Sequence, residues 1–236
     1  MRLRNVPQAK EIVAKSPFVI HDAEKRKGRW KDLSDKPIYL EIGMGKGRFL
    51  IEHAQRHPDR EYLGMERYES VLFRACERMA GEGYKTPYDQ KNYEKHPELL
   101  KDFRAPQNLH FLDLDAKALP DIFEKGEVDH IFLNFSDPWP KARHAKRRLT
   151  SHQFLHLYEQ ILKDGGLVEV KTDNAGLFEF SVEEAEAAPH WEILTVTRNL
   201  HGDPVLNEDN IMTEYERKFS ALGNKICKMV IRCREF

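Results

Sequence analysis

The chain has 236 residues, 40% hydrophobic and 33% charged, with 38 Lys and Arg against 39 Asp and Glu, a composition that excludes a disordered chain and describes a globular protein. No apolar run approaches the roughly 18 residues a membrane span requires. The charged start, Met1-Arg2-Leu3-Arg4, has no apolar stretch behind it, so no secretory signal is expected and the protein reads as cytoplasmic. Cys76, Cys227 and Cys233 are odd in number and far apart, which argues against a disulfide framework or a cysteine metal site.

In chain order, residues 1–36 come first, with ten Lys and Arg against five acids and few periodic apolar positions; they predict a basic arm with partial helix. From residue 37 to 236 short β-rich runs alternate with longer helical patterns, the mark of βαβ units in one α/β domain. Strands are expected at 38–42, 62–65, 109–112, 128–134, 167–171, 192–197 and 228–232. Helices are expected at 48–55, 69–79, 151–162 and 177–187, where apolar residues recur every three or four positions, as at Leu72, Ala75, Cys76 and Met79. Residues 83–107, with Pro87, Pro97 and Pro106 among many charges, read as a surface insertion. The last two strands have only a loop and one short helix, within 207–223, between them and predict an antiparallel hairpin at one edge of the sheet.

Charge is unevenly spread. The arm carries +5 and the run 141–148 another +5 with no acid, which leaves the rest of the chain at −11 and the total at −1. A near-neutral sum therefore does not exclude a nucleic-acid partner.

After the first strand the sequence is Glu41-Ile42-Gly43-Met44-Gly45-Lys46-Gly47-Arg48. Glycines at a strand-to-helix turn let a ligand approach the backbone and aim the helix N-terminus at it. A dinucleotide loop would place glycine at 48, where Arg48 stands, and a P-loop would follow Lys46 with Ser or Thr, where Gly47 stands. With Glu66 closing the next strand, the pattern instead resembles the nucleoside-binding half of S-adenosylmethionine-dependent methyltransferases. That resemblance implies that Glu66 accepts from both ribose hydroxyls and that an acid after the third strand holds the adenine amino group. Asp113 and Asp115 both offer themselves; strand alternation favours Asp115, with Asp113 in reserve.

The loop after the fourth strand runs Asp137-Pro138-Trp139-Pro140-Lys141, then Arg143-His144-Ala145-Lys146-Arg147-Arg148. Taken with Lys171-Thr172-Asp173-Asn174, Ile211-Met212-Thr213-Glu214-Tyr215-Glu216, the Arg2-Leu3-Arg4 start and the Phe219-Ser220-Ala221-Leu222-Gly223 segment, it resembles the bacterial tRNA (guanine-N7-)-methyltransferase family over nearly the whole length. The 83–107 segment is the main departure. The resemblance implies a single Rossmann-like domain with a mostly parallel seven-stranded sheet. It also implies that Glu41, Gly43, Gly45, Glu66, Asp115 and Asp137 surround S-adenosyl-L-methionine, with Asp137 catalytic. Lys141, Asp173, Thr213, Glu214, Tyr215 and Glu216 would contact the target nucleotide, guanine 46 of the tRNA variable loop, and Arg143, His144, Ala145, Lys146, Arg147 and Arg148 would touch RNA. Thr213-x-x-Glu216 is also a capping box, and both roles are compatible.

Guanine N7 carries an in-plane lone pair, so methylation there needs orientation and a nearby carboxylate more than a strong base. Asp137 and Asp173 are the candidates. A methyltransferase for a small molecule or protein would not need the basic loop, and an RNA-binding module with a vestigial pocket would not keep the glycines and acids. No metal constellation is visible: His53 and His57 lie four apart with no third ligand. Monomer and homodimer both remain open.

Overall fold

A computed structural model describes residues 6–81 and 105–234. The strands are β1 Ile38–Ile42, β2 Glu61–Met65, β3 Leu109–Leu112, β4 Val128–Asn134, β5 Leu162–Thr172, β6 Trp191–Thr197 and β7 Cys227–Cys233. The principal helices are α1 Ala9–Lys15, α2 Arg48–Arg56, α3 Glu69–Met79, α4 His152–Glu159, α5 Ala175–Ala187 and α6 Glu214–Ser220. The expected limits of β1, β3, β4 and α3 coincide with those found.

The seven strands form one sheet in the order β3-β2-β1-β4-β5-β7-β6. The first five are parallel, and β7 runs antiparallel to both β5 and β6. The expected mostly parallel sheet with an antiparallel pair at one edge is therefore present. Side chains alternate between two cores: Leu40, Ile131, Leu133 and Val168 face Phe154, Tyr158 and Phe178 of α4 and α5, while Tyr62, Phe111 and Phe132 face Phe49, Leu50 and Leu72 of α2 and α3.

Two elements differ from expectation. The helix expected at 151–162 ends at Glu159, and β5 begins at Leu162, not 167. Ile161 and Leu162 continue the helical spacing of Leu155 and Tyr158, yet they are buried at the strand side of the junction. A register shift between Val128 and His130 then accommodates Lys163–Gly166, with Gly165 at φ 78°.

Residues 6–36 lie against the domain. Ala9 and Val13 bury α1 on α3, and Val19 adds a parallel bridge to the free edge of β3, with Phe111 N donating to Phe18 O at 2.8 Å and Ile20 N to Phe111 O at 2.9 Å. Covering that edge removes a site for stray strand pairing. Trp30 stacks on Phe123 at 4.8 Å and donates Nε1–H to Ile122 O at 2.7 Å. These apolar residues show no period in sequence because each docks at a separate place. Lys10, Lys15, Lys25, Lys27 and Arg29 remain exposed. Of the 83–107 segment, only 105–107 lie within the described residues.

Candidate active site

In an open parallel sheet ligands bind at the carboxyl ends of the strands, where the order reverses, here between β1 and β4. The loop after β1 bends through Gly43, Gly45 and Gly47 at φ 77°, 60° and 74°, a region L side chains rarely adopt. A Cβ on Gly43 or Gly45 would meet nothing within 4 Å, so their backbone faces open space. Gly47 instead backs onto the core, with Ala75 Cβ 3.2 Å from such an atom.

Glu66 is tied to this loop. Gly45 N donates to its Oε2 at 3.2 Å and Tyr68 N to its Oε1 at 3.0 Å. Burial pushes the Glu66 carboxyl up, against the pull of the Tyr68 and Gly45 amides. Glu41 is 2% exposed; its Oε1 accepts from Asn134 Nδ2 at 2.8 Å, while Glu41 Oε2 and Asn134 Oδ1 are buried without partners. Burial raises Glu41 to about 7, opposed by the Asn134 hydrogen bond and the Lys171 charge and assisted by Glu66. A buried carboxylate with one idle oxygen is suited to a cationic or hydrogen-donating ligand.

Asp115 caps the turn after β3 by accepting from Lys117 N at 3.1 Å, and its other oxygen accepts from Arg67 Nη1 at 3.1 Å. Burial pushes its carboxyl up, but those two donors outweigh it and hold it below the usual value. Asp113 is pushed up by burial and by Glu69, and it faces Lys10 and His21 of the arm. Of the two acids, Asp115 is the one paired with Arg67, the neighbour of Glu66.

The loop after β4 holds two aromatic residues at positive φ, Phe135 at 51° and Trp139 at 41°. Asp137 is exposed and makes no hydrogen bond or ion pair among the described residues. Arg148 turns inward, donating Nε–H to Pro138 O at 3.0 Å and Nη2–H to Trp139 O at 3.1 Å. Lys141, Arg143, Lys146 and Arg147 are exposed on or beside the short 3-10 helix Ala142–Arg147, and His144 and Ala145 are half-buried. The Arg147 guanidinium lies 5.0 Å over the Trp139 ring, whose edge meets His144 at 5.7 Å.

The end of β5 meets the start of α6. Thr213 and Glu216 form the expected capping box. Glu216 is fully buried and accepts from Lys171 Nζ at 2.9 Å, Asn210 Nδ2 at 2.7 Å and Thr213 N at 3.4 Å; His201 Nε2 lies 2.9 Å from it. Glu214 receives both arms of Arg78, at 2.7 and 3.0 Å, while Arg78 also donates to Lys46 O in the glycine loop. Burial raises the Glu214 carboxyl, and Arg78 outweighs it, so Glu214 lies below its ordinary value. Tyr215 is exposed, stacked on Phe219 at 4.1 Å and near Phe135 at 4.8 Å; partial burial and the nearby Asp173 charge push its hydroxyl pKa up. Asp173 accepts from Asn224 Nδ2 at 2.8 Å.

Two neighbouring groups result: Glu41, Gly43, Gly45, Glu66 and Asp115 around the glycine loop, and Asp173, Thr213 and Tyr215 at the β5–α6 junction. The bond from Phe135 N to Lys171 O, 2.8 Å, joins the β4 loop to the second group. Within that group Glu214 and Glu216 are committed to partners in the protein. Lys171, Asn134 and Arg78 are the residues that sequence reasoning missed. Among the described residues no group of three or more His, Cys, Asp or Glu could hold a metal, and no helix is long and apolar enough to cross a membrane.

Solved structures share this architecture. The 16S rRNA (adenine(1408)-N(1))-methyltransferase from Catenulisporales acidiphilia superposes with a TM-score of 0.59, covering 94% of this chain and 97% of its own at 14% identity. The 16S rRNA methyltransferase KamB gives 0.56 over 88% and 94% at 12% identity. These likenesses concern the fold. A family model described as "Putative methyltransferase" matches residues 35–229. The proteins named tRNA (guanine-N(7)-)-methyltransferase from Lachnoclostridium phytofermentans and Bacillus subtilis are 45% and 40% identical, covering 98% and 99% of this chain and 97% and 100% of their own.

The sheet order, with a glycine loop bonded to the acid that ends the next strand, defines an enzyme of the Rossmann-like methyltransferase class. Within that class, the chain belongs to the tRNA (guanine-N(7)-)-methyltransferase family.

Proposed function

We propose that the protein transfers a methyl group from S-adenosyl-L-methionine to N7 of guanine 46 in the variable loop of tRNA, in the cytoplasm. The observation that carries this reading is that one loop, 135–140, links the glycine-loop side of the sheet to an exposed basic helical turn. When bound, S-adenosylmethionine supplies an electrophilic methyl group on a sulfonium.

The residues present fit that group. Glu66, fixed by two amides, keeps acceptor capacity for the ribose hydroxyls. Asp115 keeps lone pairs for the adenine amino group, and the idle oxygen of Glu41 suits the cationic end. Gly43 and Gly45 leave room against the backbone.

Asp137 and Asp173 would hold negative charge beside the purine, where positive charge develops as the base is methylated at N7. Lys141, Thr213 and Tyr215 position the nucleotide, while Glu214 and Glu216 act from behind by fixing the start of α6. Because N7 is inaccessible within an A-form helix, the guanine must be presented from a loop or out of its stack. Arg143 to Arg147 hold the adjoining phosphates, and the exposed Lys10, Lys15, Lys25, Lys27 and Arg29 of the basic arm, 1–36, extend that grip beside the catalytic domain, 37–236.

The test is methyl-labelled S-adenosylmethionine with unmodified tRNA transcripts, followed by nucleoside analysis and site mapping. Label in 7-methylguanosine at position 46 is expected. Label in another nucleoside, or none in tRNA, would overturn the proposal.

A further inference from the structure

We infer that Arg148 is a positioning residue for Asp137, with no part in binding RNA phosphate, unlike its exposed neighbours Lys146 and Arg147. The inference rests on the reading of Asp137 given above.

The segment Ser136–Pro140 cannot hold its own shape. Pro138 and Pro140 lack N–H groups, and among the described residues no backbone-to-backbone hydrogen bond reaches any of these five residues. Phe135 and Trp139, bulky residues at φ 51° and 41°, add strain of about 1–2 kcal/mol each at the two ends. A segment so strained keeps one conformation only if something outside it supplies the constraint.

Arg148 supplies it. Its Nε and Nη2 reach two consecutive carbonyls, Pro138 O at 3.0 Å and Trp139 O at 3.1 Å, on the far side of Asp137 from β4. Its guanidinium also lies 4.2 Å over the Phe180 ring on α5. The chain around it is pinned as well, since Arg148 N donates to Ala145 O and Ser151 N to Arg148 O, both at 3.0 Å. Two parallel donors in a rigid plane suit two adjacent carbonyls, which lysine's single ammonium cannot match. With Nε–H and one Nη2–H given to the loop and one face on Phe180, this arginine is held against the protein, unlike the exposed Lys146 and Arg147.

The experiment compares Arg148→Met, Arg148→Lys and Phe180→Leu with the full-length protein. It reads kcat and KM for tRNA at saturating S-adenosylmethionine, the salt dependence of tRNA binding, and acrylamide quenching of tryptophan. Trp30 and Trp191 are buried, so quenching reports mainly on Trp139 in the loop. Arg148→Met is expected to lower kcat about 100-fold, the order that a 1 Å misplacement costs. Quenching should increase and the salt slope should stay unchanged; Arg148→Lys should not restore kcat, and Phe180→Leu should show the same pattern more weakly.

A shallower salt slope with kcat retained would assign Arg148 to phosphate and overturn the inference. So would a lowered melting temperature with kcat and quenching intact below it, which means a purely structural role. If Arg148→Met fails to fold, the other two variants decide by the same criteria. Asp137→Asn separates the underlying reading: full activity there, with quenching still increased in the Arg148 variants, would remove Asp137 from catalysis and with it the positioning role, leaving only a loop clamp.

Discussion

Lys171 and Glu216 meet at 2.9 Å with side chains 1% and 0% exposed, joining the end of β5 to the first turn of α6. All three N–H groups of Lys171 are used, the others by Asn210 Oδ1 at 3.0 Å and Ile211 O at 2.9 Å. Burial raises the Glu216 carboxyl, but Lys171, Asn210 and His201 outweigh it and hold it below its ordinary value. Removing one partner strands the other, so Lys171→Met should cost about 3 kcal/mol. The loss with both replaced by apolar residues should be smaller than the sum of the single losses. Urea unfolding of the two single variants and the double measures the coupling; strict additivity would show that the pair is not the unit.

That pair illustrates what was legible in the sequence and what was not. The glycine loop and Glu66 could be found because their positions at strand ends carry the chemistry locally. Lys171, Asn134 and Arg78 sit inside regular elements, and their partners lie 45, 93 and 136 residues away, at Glu216, Glu41 and Glu214. No local pattern records such pairings. For the same reason Glu216 reads as a nucleotide contact in sequence, whereas folding turns its carboxylate into the core. In the fold, β1, β3 and β4 stood out because their apolar runs end at turn residues, while the start of β5 was concealed by Ile161 and Leu162, which extend the helical spacing.

Arg143, Lys146 and Arg147 are exposed and make no ion pair among the described residues, which leaves their charges available to phosphate. Replacing Lys146 and Arg147 by Met should weaken tRNA binding for all sequences alike. The slope of log affinity against log salt should become shallower by roughly 0.7–0.9 for each phosphate no longer neutralised. Filter binding across a salt series checks this, and an unchanged slope would take both residues out of the interface.

His53 Nδ1 and His130 Nε2 are buried without partners between α2 and the sheet. Burial, aided by the charges of Lys171, His57, His130 and Arg60, lowers His53 to about 2. Burial also dominates at His130, lowering it to about 4 against the opposing pull of Glu169. A base depressed in the folded state contributes stability that is present above its unfolded value of 6.5 and is lost as pH falls toward the folded one. His53→Phe and His130→Phe should each therefore relieve about 1–2 kcal/mol of this loss at pH 5 and move acid unfolding to lower pH. Circular dichroism against pH gives the midpoint, and a midpoint that stays put would locate acid sensitivity elsewhere.

Glu41 works in the opposite sense. Its carboxyl titrates at about 7 when folded against 4.5 as an ordinary glutamate, so the folded protein holds the proton more tightly. The resulting stability is fully present below about pH 4.5 and is lost as pH rises through about 7, a change on the order of 3 kcal/mol. Glu41→Gln keeps an acceptor for Asn134 but cannot ionise, so its stability should fall less than that of the wild type between pH 5 and 8. Urea unfolding across that range should show the two curves diverging, and parallel curves would refute the shift. If the idle oxygen of Glu41 faces the cationic end of S-adenosylmethionine, binding near pH 6.5 must expel the proton. Calorimetry in buffers of different ionisation enthalpy should detect that release in the wild type and not in Glu41→Gln; equal release in both would place the cofactor's charge away from Glu41.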